Sequence, residues 1–522
     1  MTALTRLSPR RWSERAWGWI GPIGVAILAF VLRVWNVGYP HKLEFDETYY
    51  SKDAWSLLHH GYVQDWVENA NNQIAAGHYS RKLMTGEPSW IVHPDGGKWL
   101  IAIGESIFGF NSFGWRISAV VVGALTVLVL ARLVRRLTGS TLIGCFAGLL
   151  LCFDGMHFVM SRLGLLDIFL TFWVVCGVAC LVADRDWLLR GDRGDRLARH
   201  RPFRPWQLAA GACFGMACGT KWNGVFVLAA FGLLAVVWEV LARRRARKDL
   251  GLAPRAFTTT FAVGIPAFFS IVGVAFLVYL ATWTGFLIHH HAFEARFGRG
   301  YGDYSAPWGA YVNHPSTGFL GGTRDAFRSL WHFHVMTFNF SAHDLNSADH
   351  PYKSNPVGWL VMERPVAVDA QNGLPAASCG VPATSSCMRE VLILGNPILW
   401  WTGALALLAS VVAWIATRDR RWGIPVVGVA VSWLPWFLFD QRPIFSYYAV
   451  AFLPFTIIAI ALIVNGMVQS AGTPRQLYVV SLISGAFLVS VVVAFWYFHP
   501  IYTDKLIPYD SWHSRMWFNR WI

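Results

Sequence analysis

Apolar runs of about twenty residues recur from one end of the chain to the other. They cover 17–38, 113–134, 140–157, 163–183, 206–220, 222–241, 257–285, 397–416, 422–439, 444–467 and 477–498. A helix of this length crosses the hydrocarbon core and closes its own backbone hydrogen bonds, whereas a membrane barrel would show a weak alternating pattern. The fold expected is therefore an all-α polytopic membrane protein with about eleven transmembrane helices. The run 206–220 is short, and it is counted because its loss would turn the basic connections at 243–248 and 418–421 outward.

Five regions follow. Residues 1–16 form an N-terminal tail and 17–285 hold the first seven helices, with a long outer loop at 39–112. Residues 286–396 are a second long outer loop, 397–498 hold the last four helices, and 499–522 are a tail. Loops of this length exceed a turn and are where a site is sought. Within the first, Tyr50, Ala54, Leu57 and Leu58 recur at helical spacing and predict a short helix over 47–61, lying on the membrane.

Composition agrees with a membrane protein: 55% of the 522 residues are hydrophobic and 14% are charged, against roughly 25% charged in a soluble domain. The run from Trp17 to Val37 is long and lacks a small-residue cleavage site, so it is expected to remain as the first span. The net charge of +14 does not imply nucleic acid, because the basic residues sit in short connections. Arg6, Arg10, Arg11 and Arg15 precede the first span, and Arg132, Arg135 and Arg136 end the second. Arg185, Arg190, Arg193, Arg196, Arg199, Arg201 and Arg204 fill one loop, with Arg243–Lys248 and Arg418–Arg421 in two others. That distribution is the positive-inside pattern and places the N-terminus in the cytoplasm and, with an odd count, the C-terminus outside. Six cysteines lie in spans as small apolar residues. Cys379 and Cys387 share an outer loop, where a disulfide between them is expected.

Candidate chemistry gathers on the outer side. The stretch HKLEFDETYY (41–50) places Glu44, Asp46 and Glu47 just behind the first span. A carboxylate there is either solvated or a partly desolvated base for a hydroxyl proton. HPDGGK (93–98) offers His93, two glycines for close backbone approach and Lys98 as a point charge, or else an ordinary turn. Asp154, Arg162 and Asp167 mark the outer turn between the third and fourth spans, either as site residues or as a mutual ion pair. Arg116, Lys221 and Arg442 open or join spans on the same side, where an anionic lipid headgroup would need cations and where snorkelling would also place them. No CxxC-type metal spacing and no dense carboxylate cage is present, so no metal is expected.

Taken as a set, these pieces resemble the protein O-mannosyltransferase family, a GT-C class of glycosyltransferases, and its actinobacterial members in particular. The matching segments are FDE (45–47), HPDGGK (93–98), WR (115–116), SRLGLLD (161–167), GMACGTKWNG (215–224), HPYKSNP (350–356), GNPILWW (395–401) and RPIFSYY (442–448), in the family's order. The family's usual HPPLGK stands here as HPDGGK, which keeps His93 and Lys98. The 286–396 loop lacks the length and strand pattern of the β-trefoil that eukaryotic relatives insert.

The resemblance implies that Asp46 is the catalytic carboxylate, that Glu47 beside it positions the acceptor or shapes the site, and that Arg116, Lys221 and Arg442 face the donor phosphate. It implies a polyprenyl-phosphate-mannose donor, no further cofactor, and Ser/Thr-rich acceptor proteins crossing the plasma membrane, with the secretion translocon as a further partner. His93, Lys98, Asp154, Arg162, Asp167, His350, Tyr352 and Ser354 would support the outer-face site. One base and one displacement would invert the anomeric centre. A GT-C enzyme acting on a lipid or glycan acceptor, and a lipid-phosphate transporter, are the alternatives. The transporter is disfavoured because no internal repeat is visible and the charges gather at one face.

Overall fold

The computed structural model describes residues 11–79, 81–189, 204–253, 255–300 and 306–522. Arg6, Arg10, Arg190, Arg193, Arg196, Arg199 and Arg201 lie outside the described residues, as does most of the 1–16 tail.

Each of the apolar runs contains a helix. Among the described residues, eight helices are long and apolar enough to cross a membrane: Ala16–Val34, Ser112–Thr138, Leu166–Leu188, Gly224–Asp249, Phe257–Ala281, Pro397–Thr417, Leu453–Ser470 and Pro474–Tyr502. The runs at 140–157, 206–220 and 422–439 form shorter helices, Thr141–Cys152, Pro205–Cys218 and Gly423–Trp433. Eight helices thus meet the length and composition of a span, and the other three expected runs form shorter helices, so the expected count of about eleven is not confirmed. Polar and helix-breaking residues explain the shortening: Asp154 ends the first run by capping a new turn, and Pro435 ends the third.

Small residues let these helices approach closely. A Cβ on Gly144 would meet the Ala131 carbonyl at 2.5 Å, and one on Gly215 the Ala275 carbonyl at 2.6 Å. The basic connections meet at one end of the bundle. Arg420 donates to the Trp238 carbonyl, Arg421 to that of Leu137, and Arg136 pairs with Asp186.

The long connections carry their own structure. The first holds the expected helix, Glu47–His60, a two-stranded pair (Gln64–Trp66 with Met84–Pro88) and a second helix, Gly96–Phe108. The 47–60 helix buries Tyr50, Ser51, Ala54 and Leu57 against the protein. The second connection holds the helix Gly321–Ala342, whose buried Ala326, Ser329, Leu330, Phe333 and Thr337 follow a helical period broken up by Arg324, Arg328 and His332. It also holds the hairpin Val366–Leu374 with Cys387–Ile393, which gains a third strand, Ile507–Pro508, from the C-terminal tail. Cys379 and Cys387 are disulfide-bonded at the loop end of this hairpin, as expected.

Candidate functional site

The turn before the Glu47–His60 helix holds Asp46 with its backbone at the N-cap and its carboxylate free of the cap role. Phe45, immediately before it, has φ +50°, a conformation that costs a bulky residue on the order of 1–3 kcal/mol. Its ring is held edge-on by Phe445 and Tyr447, with centroids at 5.9 and 6.0 Å, and by His350 at 6.3 Å. Two distant segments therefore fix one strained turn, and the turn places Asp46 near Tyr50, Tyr447, Lys221 and Asp167. The Tyr50 hydroxyl lies 3.4 Å from Asp46 Oδ2. Burial pushes the Asp46 carboxyl up to about 6; the Asp167 charge adds to this, while Lys221 and the Tyr50 and Tyr447 hydroxyls pull against it.

Lys221 projects from the turn between two helices. Its Nζ donates to both carboxylate oxygens of Asp167 at 2.9 and 2.8 Å and stands 4.6 Å from the Tyr448 ring centroid. Burial works against this ammonium, but Asp167, Tyr448 and Asp46 outweigh it and hold its pKa above the ordinary value. The backbone under Lys221 is packed tightly. Gly96 N–H donates to the Gly219 carbonyl at 2.9 Å, and a Cβ on Gly96 would meet that oxygen at 2.6 Å.

Four of the sequence expectations change here. Arg116 does not face a phosphate. Its Nε and Nη2 hold Glu47 at 2.8 Å each, and its remaining donors reach the carbonyls of Val37, Pro40 and Lys42. Glu47, fully buried, is correspondingly a structural anchor that also accepts from the Glu44 and Gly164 amides, and it is closed to an acceptor. Lys98 is buried between Asp53 and Asp95 at 3.0 and 3.1 Å, so it pairs with carboxylates and not with a ligand. The HPDGGK segment starts a helix, and its glycines serve close packing: a Cβ on Gly97 would sit 2.7 Å from Leu166 Cδ2. Glu44 is also far from a solvated loop residue. It is buried beside Lys42, and burial, with Asp369 nearby, pushes its carboxyl up to about 8.

The other supporting residues divide. Asp154 accepts from the His157 and Asn396 amides and from Trp400 Nε1, which ties three elements together. Arg162 donates to the carbonyls of Arg33, Trp35 and Asn36 and closes the first helix, so it pairs with neither Asp154 nor Asp167. Ser354 accepts from Trp359 Nε1, and its amide donates to the Ile444 carbonyl, which clamps the 350–356 segment to the 442–448 segment. His350 and Tyr352 pack beside it, with ring centroids 5.9 Å apart.

A cavity of about 550 Å³ opens from the Lys221 turn. Lys221, His93, Arg442 and Tyr448 line its polar end, and Phe226, Leu228, Val272 and Phe276 from two membrane-crossing helices line its apolar walls. Arg442 spends Nη1 on the Ser341 carbonyl at 2.8 Å, while its buried Nε has no hydrogen-bond partner. His93 is held neutral by burial and by the charges of Lys221, Lys98 and Arg442. Trp222 and Tyr279 extend the wall, with Trp222 Nε1 donating to the Tyr279 hydroxyl at 3.0 Å. The cavity suits an amphiphile whose anionic head rests at its cationic end and whose tail lies along its apolar walls. Tyr447, Tyr448 and Asp53 were not singled out from the sequence; the first two stand inside the RPIFSYY motif, and the third had no signal beyond its charge.

Comparison with known proteins gives a consistent answer. The family model described as dolichyl-phosphate-mannose-protein mannosyltransferase matches residues 23–293. The one described as the C-terminal four TMM region of protein-O-mannosyltransferase matches residues 326–521. The polyprenol-phosphate-mannose–protein mannosyltransferase of Mycobacterium tuberculosis is 33% identical, over 97% of this chain and 92% of its own length. That of Corynebacterium glutamicum is 30% identical, over 91% of this chain and 88% of its own. In fold, the chain is similar to a chain of the Saccharomyces cerevisiae protein O-mannosyltransferase Pmt1-Pmt2 complex bound to the sugar donor. The TM-score is 0.69 at 14% identity, covering 99% of this chain and 93% of that one. Family models over both halves of the chain and relatives 30–33% identical over most of it show that the chain belongs to the protein O-mannosyltransferase family.

Proposed function

We propose that the protein transfers mannose from a polyprenyl-phosphate-mannose donor to Ser or Thr hydroxyls of proteins at the outer face of the cell membrane. The observation that carries this reading is the apolar cavity between membrane-crossing helices, which ends at Lys221, Arg442 and His93, with Asp46 within electrostatic reach of Lys221 and Tyr448. The polyprenyl tail occupies the apolar part, and the phosphate rests at the cationic end. Family membership supports the mannosyl donor and the protein acceptor.

In the reaction, the acceptor oxygen attacks the anomeric carbon from the side opposite the phosphate while Asp46 takes its proton. The C–O bond to phosphate breaks, and the departing anion is met by Arg442 and by Lys221, whose charge is oriented by Asp167. One displacement inverts the anomeric centre. Arg116 takes no part in charge stabilisation; it anchors Glu47 and, through it, the turn bearing Asp46.

The gathering of Arg136, Arg420 and Arg421 at one end of the bundle supports an inner face there, with the site on the outer face, the N-terminus in the cytoplasm and the C-terminus outside. Acceptors are Ser/Thr-rich proteins during or after translocation, which makes the translocon a natural neighbour. Incubation of the purified protein with polyprenyl-phosphate mannose and a Ser/Thr-rich peptide tests the reading. A hexose mass gain on the peptide is expected, and a gain only on a glycolipid acceptor would contradict it.

A further inference from the structure

The geometry points to a zinc site in the second outer connection, formed by His290, His291 and Glu294 and separate from the mannosyl-transfer chemistry. Among the described residues, these three bring their ligand atoms within 4.8 Å of one another. They sit on one tight bend: His290 and His291 begin a short helix, Glu294 opens the wider turn that follows it, and the chain then leaves toward the Gly321–Ala342 helix.

The tautomer of neutral His290 follows from its neighbours. Its Nδ1 lies 3.0 Å from the Leu287 carbonyl oxygen, which can only accept, so Nδ1 carries a proton and, in the neutral ring, Nε2 carries the lone pair. That Nε2 is buried, has no hydrogen-bond partner, and faces Glu294 Oε1 at 3.9 Å. The residue is 7% exposed, so water does not compensate the lone pair freely. A ligating histidine is prepared in this way, with one nitrogen bound to a carbonyl and the other aimed at the metal.

Glu294 is prepared similarly. It is 4% exposed, and Ser329 Oγ of the Gly321–Ala342 helix donates to its Oε1 at 2.6 Å. His291 Nδ1 stands 2.9 Å from Glu294 Oε2, and its exposed ring leaves that side open to water. Two nitrogens, one carboxylate oxygen and a water make a four-coordinate N/O set suited to zinc. Ligands of a tetrahedral zinc lie about 3.3 Å apart, and rotation of the exposed His291 ring closes the difference.

The ion would join the bend after the Phe257–Ala281 span to Ser329. The same helix brings Phe338, Ser341 and Ala342 to the cavity, and Ser341 receives Arg442. Zinc here would stiffen the wall of the donor cavity without touching a reacting atom.

The test uses the full chain in detergent, purified through a tag without histidines, stripped with chelator and titrated with Zn²⁺ against a chromophoric competitor. One Zn²⁺ per chain is expected, with at least tenfold weaker binding in His291→Ala and in Glu294→Gln, and about tenfold weaker in Ser329→Ala. Excess Mg²⁺ does not displace it. His291 is exposed, so His291→Ala keeps the fold, and the Zn²⁺-dependent rise in melting temperature seen in the parent protein should vanish in it. Equal Zn²⁺ affinity in the parent and in His291→Ala would overturn the assignment, leaving a His291–Glu294 ion pair alone.

Discussion

Arg116 and Glu47 grip each other through two parallel bonds of 2.8 Å, both side chains being buried. The pair fixes the first turn of the helix that follows Asp46, because Glu47 also accepts the Glu44 and Gly164 amides. Two residues that a sequence reading places at the chemistry thus serve its scaffold. Glu47→Gln strips a buried cation of its partner and should destabilise the protein by about 3–5 kcal/mol. Thermal unfolding in detergent reads this directly. An unchanged melting temperature with a raised KM for peptide would instead make Glu47 an acceptor contact.

The Asp46 carboxyl sits at about 6, pushed up by burial first. A general base works when deprotonated, so kcat/KM should be flat above this value and fall about tenfold per pH unit below it. Lys221 favours the ionised carboxylate. Lys221→Gln should therefore move the acid limb to higher pH as well as lower the plateau. A limb that stays in place would show that Lys221 does not sense Asp46.

Arg442 makes one hydrogen bond to the protein, to the Ser341 carbonyl, and lines the cavity. Arg442→Ala should lower kcat/KM for the lipid donor by roughly ten- to a hundredfold, the scale of one charge-assisted interaction, with little change in melting temperature. A large stability loss with normal kinetics would assign it to the scaffold.

Gly96 has no room for a side chain, because a Cβ would meet the Gly219 carbonyl, a backbone atom, at 2.6 Å. Gly96→Ala should push the turn that carries Lys221 and reduce transfer at least tenfold. Gly232→Ala, in a helix where nothing lies within 4 Å of the new carbon, is the control and should leave transfer unchanged. Equal activity of the two variants would remove the link between the HPDGGK segment and the site.

The spans were legible because a lipid solvent forces long apolar runs, and the positions of the expected helices held although three proved short. Asp46, Lys221 and Arg442 could be singled out as charges at span ends. What sequence could not distinguish was a charge facing a ligand from a charge facing another charge. Arg116 and Lys98 looked like Lys221, and all three have carboxylate partners, Glu47 for the first, Asp53 and Asp95 for the second and Asp167 for the third; only Lys221 also lines the cavity. The Gly321–Ala342 helix was hidden for a related reason, since its buried stripe is interrupted by Arg and His on the opposite face.

Mannose transfer in this scheme depends on Asp46 removing the acceptor proton. The most direct measurement is single-turnover mannose transfer to a Ser/Thr peptide by Asp46→Asn beside the parent protein, with donor binding followed in parallel. A loss of about 10²–10⁴-fold in the transfer rate is expected, with donor affinity and melting temperature close to the parent's. Transfer within a few-fold of the parent's rate would contradict it.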